Sequence, residues 1–132
     1  MKENILEIHE LLNVEGENND WKTYDGYEII TDRQRIKILI ENDQNCCESW
    51  GYLASEDDFT DFIGAELYKL TETNTALKTV KVPAFLDEGG VIFVNIETSK
   101  GTLQFAVYNG HNGYYGHSVK VISDDLNIDS AL

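Results

Sequence analysis

Five apolar positions near the start of the chain, Ile5, Leu6, Ile8, Leu11 and Leu12, recur at the spacing of a helix. One side of a 3.6-residue repeat would hold them all, so residues 2–13 are expected to form an amphipathic helix with Glu3, Glu7 and Glu10 on its solvent face. The polar stretch 13–20 (NVEGENND) is rich in turn formers, which makes residues 1–20 a helical extension in front of a single domain, 21–132. From there the period shortens to two. β structure begins at Tyr27–Ile30, and Arg35–Glu41 sets Ile36, Ile38 and Ile40 against Arg35, Lys37 and Leu39. That alternation predicts a strand paired with its predecessor across Thr31–Gln34.

Cys47–Leu53 reads as a third strand and leads into an acidic stretch, Ser55–Gly64. Here Ser55 is placed to cap a short helix, with Asp58 at the capping-box position and Gly64 as its stop. Further strands are expected at Ala65–Glu72 and Lys78–Val82, with Pro83, Gly89 and Gly90 marking a turn. A hairpin follows, with arms Val91–Thr98 and Thr102–Tyr108 joined by Ser99-Lys100-Gly101. The glycine-rich loop 109–117 (NGHNGYYGH) leads to a last strand, Ser118–Ile122, and a polar tail. Together these elements predict an α+β fold: a mainly antiparallel sheet with an N-terminal helix and a short acidic helix.

Charge sharpens the picture. The 132 residues hold 10 Lys+Arg against 24 Asp+Glu, a formal net charge of −14. A chain this negative does not hold nucleic-acid phosphates or anionic lipid by general charge. With 42% hydrophobic residues it is nonetheless globular in composition. The acids are unevenly placed: residues 1–30 hold two bases and eight acids, and residues 44–66 hold six acids and no base. Two segments thus carry 12 of the 14 units, which makes an acidic face possible.

Candidate chemistry is sparse. Glu56, Asp57, Asp58 and Asp61 form the densest acidic cluster; at a helix start the macrodipole would stabilise them with no further role. The alternative is an anionic surface that imitates a phosphate backbone. EF-hand ligand spacing is absent. Cys46 and Cys47 are the only cysteines, and adjacent strand residues point to opposite faces, so no staple joins them; this fits a reducing cytoplasm. His9, His111 and His117 complete no zinc pattern, and a nucleophilic cysteine would need His111 or His117 as its base. In the loop 109–117, Gly110, Gly113 and Gly116 sit among Tyr108, Tyr114 and Tyr115, a combination that suits an interface. No Gly-Lys-Ser/Thr cradle or Gly-x-Ser-x-Gly elbow occurs.

Three stretches carry a resemblance: Cys46-Cys47-Glu48, Asp58–Gly64 (DFTDFIG), and 112–119 (NGYYGHSV). In their order and spacing they resemble a family of small phage and bacterial domains of unknown function, over roughly residues 25–122. Residues 1–20 lie outside that pattern, and Gly116 stands where the family has serine. The resemblance implies a phage or mobile-element protein working in the bacterial cytoplasm, with no catalytic residue to carry over.

The expectation is a binding protein rather than an enzyme, with no cofactor or metal. It would inhibit a host nucleic-acid-handling defence complex, of the anti-CRISPR type, by presenting Glu48, Glu56, Asp57, Asp58 and Asp61, with Glu3, Glu7 and Glu10 beside them, to a basic surface. Tyr114 and Tyr115 would add contact area. The alternative is a pocket for a nucleotide or metabolite built from the 109–117 loop.

Overall fold

A computed structural model of the chain describes residues 2–16, 22–42, 49–56, 58–73, 77, 89–110 and 117–132. Among them run nine strands: β1 (Ile5–Glu15), β2 (Thr23–Thr31), β3 (Arg35–Glu41), β4 (Ser49–Ala54), β5 (Leu67–Thr73), β6 (Gly89–Thr98), β7 (Gly101–Gly110), β8 (Ser118–Ile122) and β9 (Ile128–Ala131). They form two antiparallel sheets, ordered β1-β2-β3-β8-β9 and β4-β7-β6-β5. The only helical element among the described residues is the 3-10 turn Thr60–Phe62. The expected α+β fold is therefore corrected: the chain is nearly all β, and both predicted helices are absent.

The alternation in β3 decides where the core lies. Ile36, Ile38 and Ile40 are fully buried, beside Ile29 of β2 and Val119 and Val121 of β8. Across the layer they meet Ile92, Val94 and Ile96 of β6 and Leu103, Phe105 and Val107 of β7. Each such side chain contributes about 1.5–3 kcal/mol by leaving water. The β2–β3 hairpin pairs Ile29 with Ile36 and Tyr27 with Ile38, in the expected register across Thr31–Gln34. The β6–β7 hairpin also forms, its ladder running from Gly89↔Gly110 to Thr98↔Gly101.

The N-terminal segment is a strand because its helical spacing comes from bulges. Leu6 is an extra residue between the pairs Ile5↔Thr31 and Glu7↔Ile30, and a second extra residue lies between Leu11↔Gly26 and Val14↔Tyr24. A bulge resets the two-residue alternation. Ile5 and Ile8 consequently both turn to the core three positions apart, imitating a helix, while Leu6 and Leu12 are 55% and 64% exposed. Asn13 takes the left-handed conformation of the second bulge (φ 55°), and its N–H donates to Asp25 Oδ1 at 2.8 Å.

Ser55 caps no helix. It ends the β4–β7 ladder instead: its N–H donates to Gln104 O at 2.8 Å, and its Oγ accepts from the Gln104 N–H at 2.9 Å. Asp58, one residue ahead of the turn's N-cap Phe59, braces its start: its Oδ1 accepts from Thr60 N (2.9 Å) and Thr60 Oγ1 (2.5 Å). Phe62 then anchors the turn in the core, and Gly64 leaves it at φ 87°. The polar tail holds β9, which pairs with β8 from Ser118↔Ala131 to Val121↔Ile128. The strand expected at Lys78–Val82 lies outside the described residues.

Candidate functional site: an acidic, aromatic-floored edge

The start of β1 is stitched to the segment that leads into β5. Ile5 N donates to Ala65 O (2.9 Å), Gly64 N to Ile5 O (2.7 Å) and Leu67 N to Glu3 O (2.7 Å). Asn4 and Glu66 form an isolated bridge. These bonds join the two sheets along one edge and lay residues 58–66 beside β1. Two acidic stretches, about 50 positions apart in the chain, become neighbours.

Two adjoining hollows mark the edge, and Phe59 belongs to both. The first, about 300 Å³, is lined by Glu10, Tyr27, Tyr52, Leu53, Ala54, Glu56 and Phe59. The second, about 470 Å³ and shallower, is lined by Ile8, Asp58, Phe59, Thr60 and Ile63. Tyr27 stands at 87° to Tyr52 with ring centroids 5.4 Å apart, and at 87° to Phe59 at 6.1 Å. Phe105 backs Tyr27 and Phe59 from the core, at 4.6 Å and 5.9 Å. The Tyr52 hydroxyl donates a short hydrogen bond to Glu10 Oε2. Burial and then that carboxylate raise the phenol's pKa, so it stays a neutral donor and holds Glu10 at the rim. At Asp58 the bonds from Thr60 lower the carboxyl pKa and favour its charge. Among the described residues, no lysine or arginine lines either hollow.

Of the residues expected to bind a partner, Glu56, Asp58 and Asp61 lie exposed along this edge. Glu48, Asp57, Tyr114 and Tyr115 lie outside the described residues, as do Cys46, Cys47 and His111. The three N-terminal glutamates do not share a face. Glu10 joins the edge, but Glu3 Oε2 accepts from Thr31 Oγ1 (2.5 Å) and Gln34 Nε2 (2.8 Å) at the β2–β3 turn. Glu7 faces the outer side of the first sheet. There His9 bridges Glu7 Oε1 (2.7 Å) and the buried Glu28 Oε1 (2.8 Å), and Arg35 Nη1 stands 3.6 Å from Glu28 Oε2. Hydrogen bonds to Glu7 and Glu28 raise the His9 pKa, so the ring binds a proton more readily than a free histidine.

Sequence reasoning missed Tyr27, Tyr52 and Phe59. Strand alternation would have put Tyr27 on the core side with Ile29; nothing local brings Phe59 to it. His117, weighed as a catalytic base, is fully buried: it stacks on Trp50 at 5.4 Å, and its Nδ1 lies 2.5 Å from Glu41 O.

A further cleft of about 280 Å³ opens on the outer face of the first sheet, where Val14, Tyr24, Lys37, Leu39, Lys120 and Asp129 are among its walls. It carries both signs of charge, with Lys120 Nζ 3.0 Å from Asp129 Oδ1. Among the described residues no helix is long and apolar enough to cross a membrane.

Against known proteins, residues 2–121 match the model of a family described as a domain of unknown function (DUF7448). The match begins at residue 2 and so takes in the segment that the sequence motifs left outside. No curated protein and no solved structure matches the chain.

Proposed function

The chain belongs to this family of domains of unknown function, and from that premise we propose that it is a binding protein that presents its acidic edge to a basic protein surface. One observation carries this: the fold brings Glu10 of β1 to the same hollow as Glu56, next to Asp58, with no base among the described lining residues. The make-up of the edge fits an interface, with Ile63 (44% exposed) and Phe59 beside Asp58 in one hollow and Glu10 and Glu56 in the other. A basic channel that otherwise holds nucleic acid is the partner class that a net charge of −14 attracts at long range. The narrowest member of that class is a host nucleic-acid-handling defence complex, which would make this chain an inhibitor of the anti-CRISPR type.

The test is capture from a bacterial lysate at low and high salt, comparing the wild type with a Glu10→Lys/Glu56→Lys/Asp58→Lys/Asp61→Lys variant of unchanged circular dichroism. Nucleic-acid-binding proteins should be held by the wild type, released by salt or excess duplex DNA, and absent with the variant. Equal retention by both chains refutes the acidic edge.

The alternative reading is a small-ligand pocket built from the 109–117 loop. Residues 111–116 of the loop lie outside the described residues, and the cleft beside Tyr24 is the concavity that fits a small zwitterionic compound. A melting-temperature screen against nucleotides and amino-acid derivatives tests it, because a ligand of the native state raises the midpoint.

A further inference from the structure

We propose that the hollow between Glu10, Tyr27, Tyr52, Glu56 and Phe59 is a receptor for one arginine side chain of the partner protein. This rests on the acidic-edge proposal and names the group that such a partner would insert.

Shape, aromatic geometry and charge point to the same occupant. The volume, about 300 Å³, is large for a water and small for a nucleotide. Two ring pairs at 87° form a corner, so a planar cation entering it can lie over one ring face while meeting the edge of the next. Two carboxylates stand at the rim. Glu10 is oriented by the Tyr52 hydroxyl through Oε2, which leaves Oε1 to accept from a cation. Glu56 is exposed and has no hydrogen bond or ion pair among the described residues.

A guanidinium suits this set better than an ammonium. It is planar, stacks on aromatic rings and is weakly hydrated, and its fork of donors can reach both carboxylates. Lysine brings a compact, strongly hydrated charge that gives up more water on entering an aromatic corner. A neutral isostere keeps the shape and loses the carboxylates' attraction, so citrulline separates stacking from charge.

The experiment is an NMR titration of the full chain with N-acetyl-arginine amide, N-acetyl-lysine amide and N-acetyl-citrulline amide, read at the ring protons of Tyr27, Tyr52 and Phe59. Arginine should move these signals in the millimolar range, lysine severalfold more weakly, and citrulline negligibly. Glu10→Gln and Glu56→Gln should each weaken arginine about three- to tenfold, the range of exposed ion pairs and cation–π contacts. Tyr52→Phe keeps the ring and releases Glu10, so it should also weaken binding while the amide spectrum stays native. Glu72→Gln, an exposed acid on β5, should change nothing. Equal responses to arginine and citrulline, or to arginine and lysine, overturn the proposal, as does full affinity in the Glu10→Gln/Glu56→Gln double variant. A chain that captures a salt-sensitive partner yet ignores arginine loses the receptor and keeps the edge. One that binds arginine while the four-lysine variant retains every partner keeps the hollow and loses the edge.

Discussion

Replacing Gly26 by alanine perturbs the fold at the strand that supplies the site's central ring. Gly26 lies in β2, paired on one side with Leu39 of β3 and on the other with Leu11 of β1, immediately before Tyr27. Its φ is 157°, and a Cβ there would stand 1.9 Å from Ile38 O and 2.9 Å from Ile38 C. Ordinary contact begins near 3.4 Å, so the methyl is about 1.5 Å too close to a backbone atom, which cannot rotate away. Relief requires the β2–β3 ladder to open or the residue to leave its backbone conformation. Backbone strain of this kind costs about 1–3 kcal/mol, and forcing packed elements apart costs a further ~1–3 kcal/mol. The expected loss is therefore about 2–6 kcal/mol, a large share of the roughly 7–20 kcal/mol that 132 residues ordinarily provide. Urea unfolding followed by circular dichroism measures it, and amide spectra of Leu39 and Ile38 locate the disturbance. A loss below about 1 kcal/mol with native spectra would refute the steric argument.

Two other substitutions probe separate parts of the frame. Ser55→Ala removes the hydroxyl that accepts from the Gln104 N–H in a buried setting. It should cost about 1–2 kcal/mol in urea unfolding by orphaning that donor, and slowed-exchange protection of the Gln104 amide should drop. His9 adds a pH dependence whose sign follows from its raised pKa. The folded chain binds the proton more tightly, so the bridge to Glu7 and Glu28 stabilises fully below pH 6.5 and fades as pH rises through the higher folded value. The gap in urea midpoint between wild type and His9→Gln should be widest near pH 5.5 and shrink by pH 8.5; a constant gap contradicts it.

The elements that were legible in the sequence are those whose large core residues recur at every second position. Ile36, Ile38 and Ile40 announced β3 and its face, and the β6–β7 hairpin declared itself by two apolar arms around Ser99-Lys100-Gly101. β1 was misread because its bulges at Leu6 and at Leu12–Asn13 turn a two-residue period into a helical one. A bulge is visible only against the partner strand, β2. Ser55 looked like a helix cap because a serine before acids is locally ambiguous, and its hydroxyl was claimed by a strand 49 residues away. The tail hid β9 because only one of its four residues is strongly apolar, and its pairing with β8 outweighs its composition.

The amino-acid sequence by itself determined the charge, its concentration in two stretches, and the alternating cores of β3, β6 and β7, because these depend on composition and local period. Only the tertiary structure decided which acids share a surface. A strand separates Glu7 from Glu10 by turning them to opposite faces, and the hydrogen bonds of Glu3 and Ile5 to residues 64–67 carry Glu10 to Glu56 and Asp58. The aromatic floor is equally non-local. Tyr27, Tyr52 and Phe59 come from three elements and meet where the two sheets close on Phe105.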